Sequence, residues 1–419
     1  MRTYSDKKKE TRMIVNEYIR KFEELGLGLF VHFGLYSVHG KGEWAYSRNI
    51  SPEDYQTLTE RFSPDPDWAQ QLALVAKSAG CRYITLTTRH HDGYSLFDTC
   101  GLNTYDAPHT MGRDLVREFV DACREQGLIP FFYHTLLDWH EPSYRENFPE
   151  YLKYLRSSVE LLCKNYGEIG GLWFDGMWDK KEADWEEDEL YGLIRRYQPK
   201  AMIINNTGLS AGGKRGHKEI DALTFERGRP RRAEEDGEEK HLATEMCQVF
   251  ANHWGYAARD FNFKSLPEIL GDLCTCRRHG ANLLLNVGPM GNGKLRELDR
   301  AMLTTFGEWV EIHKEALYSA RPTDIEVEGK EKEFLLKGDG CYYFFAYGLP
   351  MKANVNVELE RERPEYQNCF SLPEKIKSVK WLDNGEPLSF VQEGERVTLT
   401  TAPQRYGEQL VIKVARIEI

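Results

Sequence analysis

The sequence predicts a barrel of eight parallel strands wrapped by helices, a (β/α)₈ or TIM-type architecture, followed by a small antiparallel β-sandwich. Three observations lead there. Between residues 26 and 315, short apolar runs that read as buried strands alternate with amphipathic helical segments, the pattern of a parallel sheet covered by helices. Eight such runs fit in that length, which is the strand count and size of a closed barrel. After Arg321-Pro322 the pattern changes to period-two alternation broken by turn residues, the mark of antiparallel strands with one buried face. The expected division is therefore 1–320 and 321–419.

The candidate strands are 28–33, 82–87, 129–134, 170–175, 201–206, 220–226, 245–250 and 281–287. Each is short, apolar and bounded by turn residues. Helical periodicity covers 67–79, 112–126, 147–166, 185–197, 265–279 and 295–315. The sixth and seventh strands have the weakest pattern, so the barrel is expected to be irregular or incomplete there. In the C-terminal part, alternation runs through 333–337, 341–347, 378–382, 396–400 and 409–414, with turns at Lys337-Gly338-Asp339-Gly340 and Asp383-Asn384-Gly385. This part brings no convergent polar residues together, which favours a structural buttress over a sugar-binding module. The mixed-charge stretch 226–241 is expected to be a mobile loop over the site.

Composition excludes some partners. The 419 residues are 41% hydrophobic and 29% charged, enough for a large core under a soluble surface. Lys plus Arg number 55 against 66 Asp plus Glu, a net charge of −11. Nucleic acid and anionic membranes both select for basic patches, so neither is expected as a partner. The charged first residues lack a signal-type apolar core, and no run approaches the roughly 18 apolar residues of a spanning helix. The nine cysteines show no Cys-x-x-Cys spacing, so free thiols and a cytoplasmic location are expected.

The apolar run Gly170-Gly171-Leu172-Trp173-Phe174 stops on Asp175. A carboxylate in line with a buried strand is either paired or at work, because isolating it from water is costly. Other strands also end on polar groups: 28–33 delivers His32, 83–89 leads into His90 and His91, and 130–134 carries Tyr133 and His134. Polar groups gathered at the C-terminal ends of barrel strands define one catalytic rim. Two chemistries need such groups. Glycoside cleavage uses two carboxyls flanking the scissile bond; metal-dependent hydrolysis uses His and Asp converging on a cation. Asp175 fits either. The second carboxyl is Glu226, which ends the run Ala222-Leu223-Thr224-Phe225 among apolar neighbours that favour its protonated form. Glu245, Asp138 and Glu43 compete with it. Imidazoles can ligate a metal or hold sugar hydroxyls, with His39 and His140 near those named above. The aromatics Trp44, Trp173 and Trp254 favour a sugar, whose apolar face stacks on rings.

Five ordered motifs then carry a family resemblance: Phe-Val-His-Phe-Gly (30–34), Gly-Glu-Trp (42–44), Arg-His-His-Asp-Gly-Tyr (89–94), Leu-Trp-Phe-Asp-Gly (172–176) and Asn-Leu-Leu-Leu-Asn-Val-Gly-Pro (282–289). With them the chain resembles the α-L-fucosidases of glycoside hydrolase family 29. The resemblance implies a retaining exo-enzyme acting on fucosylated oligosaccharides without metal or organic cofactor, with Asp175 as nucleophile. His32, Glu43, Trp44, His90, His91, Tyr133 and Trp173 match positions that contact fucose in the family, and Trp254 matches an aromatic beside the sugar methyl. The family's acid/base is poorly fixed by sequence; Glu226 is chosen by context, with Glu245 second. An arginine often follows the fifth strand in the family, but this chain reads Asn205-Asn206-Thr207, leaving Arg227 or Arg229 as substitutes. The alternatives are a metal-dependent hydrolase using His32, His90, His91 and Asp175, and a non-catalytic fucose-binding protein.

Overall fold

The computed structural model describes residues 14–48, 50–207, 215–233, 240–351 and 365–419. Eight strands close into a barrel: β1 (Leu27–Val31), β2 (Tyr83–Arg89), β3 (Ile129–Thr135), β4 (Gly171–Asp175), β5 (Met202–Asn205), β6 (Ala222–Glu226), β7 (Ala243–Val249) and β8 (Asn282–Val287). Each pairs in parallel with the next, and β8 returns to β1 through the register Leu27↔Leu283 to Val31↔Val287. The barrel is complete but, as one of the two expected outcomes, irregular. Its weakest seam is where the pattern was weakest: β5 and β6 share a single pair, Ile204↔Ala222. Buried Asp221 closes that seam. Its carboxylate accepts from Ile203 N at 2.8 Å, Arg195 Nη2 at 2.6 Å, Lys240 Nζ at 2.8 Å and Tyr18 OH at 3.0 Å, so the buried charge is fully paired.

Six helices cover the barrel at the predicted places: Trp68–Ser78, Leu115–Gln126, Phe148–Asn165, Glu187–Tyr197, Leu266–Arg278 and Glu297–Ser319. Their starts obey capping chemistry. Asp114 accepts from Arg117 N, and Ser265 with Glu268 forms a reciprocal capping box. The stretch from Arg227 to Leu242 contains no helix among its described residues. A short helix that periodicity missed, Glu17–Glu23, drives Ile19 and Phe22 into the floor of the barrel beside Tyr83, Phe131 and Leu284. Seven residues flanked by charge are too few for a visible helical period.

The C-terminal residues form two antiparallel sheets. One orders Ser378–Trp381, Ile412–Glu418, Cys341–Tyr347, Phe334–Gly338 and Arg321–Pro322; the other orders Tyr366–Ser371, Arg396–Thr401 and Phe390–Glu393. Alternation decides which way each side chain faces. Leu335, Phe344, Ala415 and Ile417 meet Phe370, Val397 and Leu399 of the second sheet, whereas Phe334, Leu336, Phe345 and Val414 join the main core. Trp309, in the last barrel helix, also donates to the carbonyls of Leu410 and Ile412.

Candidate active site

The ten residues singled out in the sequence converge on one pocket at the C-terminal ends of the strands. His32, Glu43, Trp44, His90, His91, Tyr133, Trp173, Asp175, Glu226 and Trp254 line it, together with Phe30, Trp178, Asn206 and Cys247. Strand alternation explains the selection: Tyr133, Trp173 and Asp175 share the inward parity, while His134 turns outward and spends its ring on Ser158 Oγ at 2.7 Å and Thr135 O at 2.6 Å.

Asp175 is ringed by polar side chains. Tyr133 OH lies 3.2 Å from Oδ2, His91 Nε2 3.5 Å from Oδ2, Trp178 Nε1 3.3 Å from Oδ1 and Asn206 Nδ2 3.4 Å from Oδ1. Burial alone raises a carboxyl's pKa, but the His91 contact, the Trp178 N–H and the Gly176 N–H outweigh it and hold Asp175 below its ordinary value. Gly176 makes this turn possible. It has φ 103, and a Cβ there would meet Leu137 at 3.0 Å. Behind His91, the Thr135 hydroxyl donates to Leu137 O at 2.5 Å and therefore accepts from His91 Nδ1 at 2.7 Å.

Glu226 has the opposite environment. Its Oε2 accepts from Asn206 Nδ2 at 2.7 Å. Burial raises its pKa, the Asn206 bond opposes that, and the nearby Asp175 charge adds to the rise; the net direction is upward. Because one amide nitrogen reaches both carboxyls, their facing oxygens lie at most about 6 Å apart, the two bond lengths laid end to end. Two adjacent carboxyls with pKa values pushed in opposite directions are the pattern that acid–base chemistry draws on.

The remaining groups shape the pocket wall. Asn286 donates from Nδ2 to Trp254 O at 2.7 Å, so its Oδ1 accepts from His32 Nδ1 at 2.7 Å. Burial pushes His32 down to about 3, against the Asn286 bond. It is therefore neutral with Nε2 free as an acceptor. His90 is also driven well down by burial and by its histidine neighbours. Glu43 Oε2 accepts from the backbone N–H groups of Trp254 and Gly255 at 3.1 and 2.9 Å, tying the loop after β1 to the loop after β7. Trp44 stacks on Trp178 with centroids 5.6 Å apart, and Trp139 packs edge-on at 5.1 Å.

Several competitors fall away. Glu245 lies inside the barrel, below the pocket, accepting from Tyr83 OH at 2.5 Å and Trp173 Nε1 at 2.9 Å. Asp138 caps the backbone N–H groups of His140 and Glu141. His140 stacks on Tyr105, and His39 ends a short helix. Both Arg227 and Arg229 are exposed and outside the pocket lining; Arg227 stands over the lining residue Trp254 at 5.0 Å. Past Arg227 the described part of the charged stretch pairs away from the pocket: Arg232 reaches Asp324, and Lys240 pairs with Asp221. Residues 234–239 lie outside the described residues. Among the described residues, no group of three or more His, Cys, Asp or Glu is placed to hold a metal ion. Sequence reading missed Asn206, Trp178, Thr135 and Asn286 as parts of the site.

Two carboxyls facing each other at a barrel rim, walled by indole rings, are what glycoside cleavage requires. The family model described as Alpha-L-fucosidase matches residues 2–315. Tissue alpha-L-fucosidase of Bos taurus is 26% identical over 360 residues, 77% of this chain and 73% of that protein. The putative alpha-L-fucosidase of Caenorhabditis elegans is 25% identical over 426 residues, 93% of this chain and 83% of that one. Alpha-L-fucosidase isoenzyme 1 from Paenibacillus thiaminolyticus superposes with a TM-score of 0.79 at 27% identity, covering 96% of this chain and 98% of that chain. The chain belongs to the alpha-L-fucosidase family, a family of glycoside hydrolases.

Proposed function

We propose that the protein is a retaining exo-α-L-fucosidase that removes terminal α-L-fucosyl groups from oligosaccharides or glycoconjugates by double displacement. An oxygen of Asp175 attacks the anomeric carbon while Glu226 gives its proton to the departing glycosidic oxygen. The C1–oxygen bond breaks and a fucosyl ester forms on Asp175. Glu226, now a carboxylate, takes a proton from water, which attacks the same carbon and frees Asp175. His32 accepts a sugar hydroxyl through Nε2, Tyr133 and His91 hold the nucleophile, and Trp254 packs against the methyl group.

The observation that carries this reading is the shared Asn206 nitrogen, with its 2.7 and 3.4 Å bonds to Glu226 and Asp175. Retaining enzymes keep their carboxyls about 5–5.5 Å apart, whereas inverting enzymes leave about 6.5–9.5 Å for a water. One oxygen of each carboxyl, Asp175 Oδ1 and Glu226 Oε2, lies within about 6 Å of the other through the shared amide, which supports the retaining reading. The test is proton NMR of a fresh digest of an α-fucoside: α-L-fucose is expected first, with the β-anomer growing in by mutarotation. The β-anomer appearing first would overturn the retaining mechanism.

A further inference from the structure

Asn205 and Asn206 follow one another at the end of β5, and alternation gives them opposite duties. Asn205 Nδ2 donates outward to Tyr191 OH at 2.9 Å, while Asn206 turns inward between the two carboxyls. The orientation of the Asn206 amide is determined. An ionised Asp175 only accepts, so the amide atom facing it must be the N–H₂. The amide oxygen then faces Thr224, whose hydroxyl donates to it at 3.2 Å. With the nitrogen so placed, Glu226 Oε2 must act as acceptor. In a neutral carboxyl the better acceptor is the carbonyl oxygen, so the proton resides on Oε1. That oxygen has no protein hydrogen-bond partner among the described residues.

We propose that Asn206, locked by Thr224, is a positioning residue that places the acid proton of Glu226 on Oε1, the oxygen left free for the substrate. This rests on the assignment of Glu226 as acid/base. Asn206 thereby gives the proton a defined starting atom in the first step. In the second step, Oε1 is the oxygen open to receive water's proton. A mobile or absent amide would let the proton shift to Oε2, facing away from the leaving group.

The test compares two substrates in wild type, Asn206→Ala and Thr224→Val. One is an α-fucosyl disaccharide, whose leaving group needs a proton; the other is 2-chloro-4-nitrophenyl α-L-fucoside, whose leaving group barely does. Loss of positioned acid catalysis is expected to lower kcat for the disaccharide about 10- to 100-fold more than for the aryl fucoside in Asn206→Ala. The alkaline limb of kcat/KM should also move to higher pH, because the lost N–H favoured the ionised form of Glu226. Thr224→Val should change both in the same direction, by less, and decides the matter if circular dichroism shows Asn206→Ala unfolded. An unchanged substrate ratio in folded variants overturns the role of Asn206 while leaving the fucosidase intact. Wild type inactive on both substrates overturns the fucosidase reading itself.

Discussion

Two carboxyls on neighbouring strands show what position along a barrel does to one residue type. The pairing Thr224↔Glu245 puts Glu245 level with Thr224. Glu226 is two residues further along, about 6.6 Å nearer the rim at the rise of a parallel strand. At the lower level Glu245 meets the neutral donors Tyr83 and Trp173, and burial pushes it up to about 7 despite both hydrogen bonds. It anchors the Trp173 indole from below. At the rim Glu226 meets an amide shared with Asp175 and a passage to solvent. Burial raises the pKa of both carboxyls, but of the two it is Glu226 that lines the pocket.

The two levels differ most in what lies beside them: Glu226 faces the Asp175 carboxylate, which Glu245 does not. Asp175→Ala should reduce turnover by at least about 10⁴-fold, as expected when a nucleophile is deleted, with circular dichroism unchanged. Next in size, Glu226→Gln should cost about 10²- to 10⁴-fold on a fucosyl disaccharide, far less on an activated aryl fucoside, and abolish the alkaline limb of the pH profile. If Glu245→Gln instead removes that limb, the assignment of the two carboxyls is reversed. Trp254→Ala should raise KM with a smaller change in kcat, by about 10-fold for a lost apolar wall.

The smallest effect sharpens the lower level. The pKa of Glu245 rises from 4.5 in the unfolded chain to about 7 in the fold. The native state thus keeps a proton that the unfolded chain has released between those values. This contribution to stability is fully present below about 4.5 and is lost as pH rises through about 7. Glu245→Gln removes the titration, so the Tm of the variant minus that of wild type should increase from pH 5 to pH 8. A pH-independent difference in thermal melts would show Glu245 to be ionised in the fold throughout.

Much of this was readable from residues because buried parallel strands are short, apolar and end in polar groups. All eight strands, the inward Asp175 and the aromatic walls follow from that pattern. Several misses share a physical cause: the sequence shows that polar residues end a strand but not which of two adjacent ones faces inward. His134 and His91 look alike in sequence, yet one faces a helix serine and the other the nucleophile. Asn205 and Asn206 are indistinguishable until register selects one. Trp178 belongs to a 3-10 turn, Met177–Lys180, whose path depends on Gly176. The sixth strand's weak pattern reflected a real single-pair seam, but the buried charge of Asp221 that closes it involves residues far apart in sequence.

On the proposed mechanism Asp175 becomes covalently bonded to the sugar. Incubation with 2-fluoro-fucosyl fluoride should give a stoichiometric mass increase. Proteolysis and tandem mass spectrometry should then place the label on the peptide containing Trp173-Phe174-Asp175. A label on Glu226 or Glu245, or none on a preparation that hydrolyses fucosides, would contradict the account.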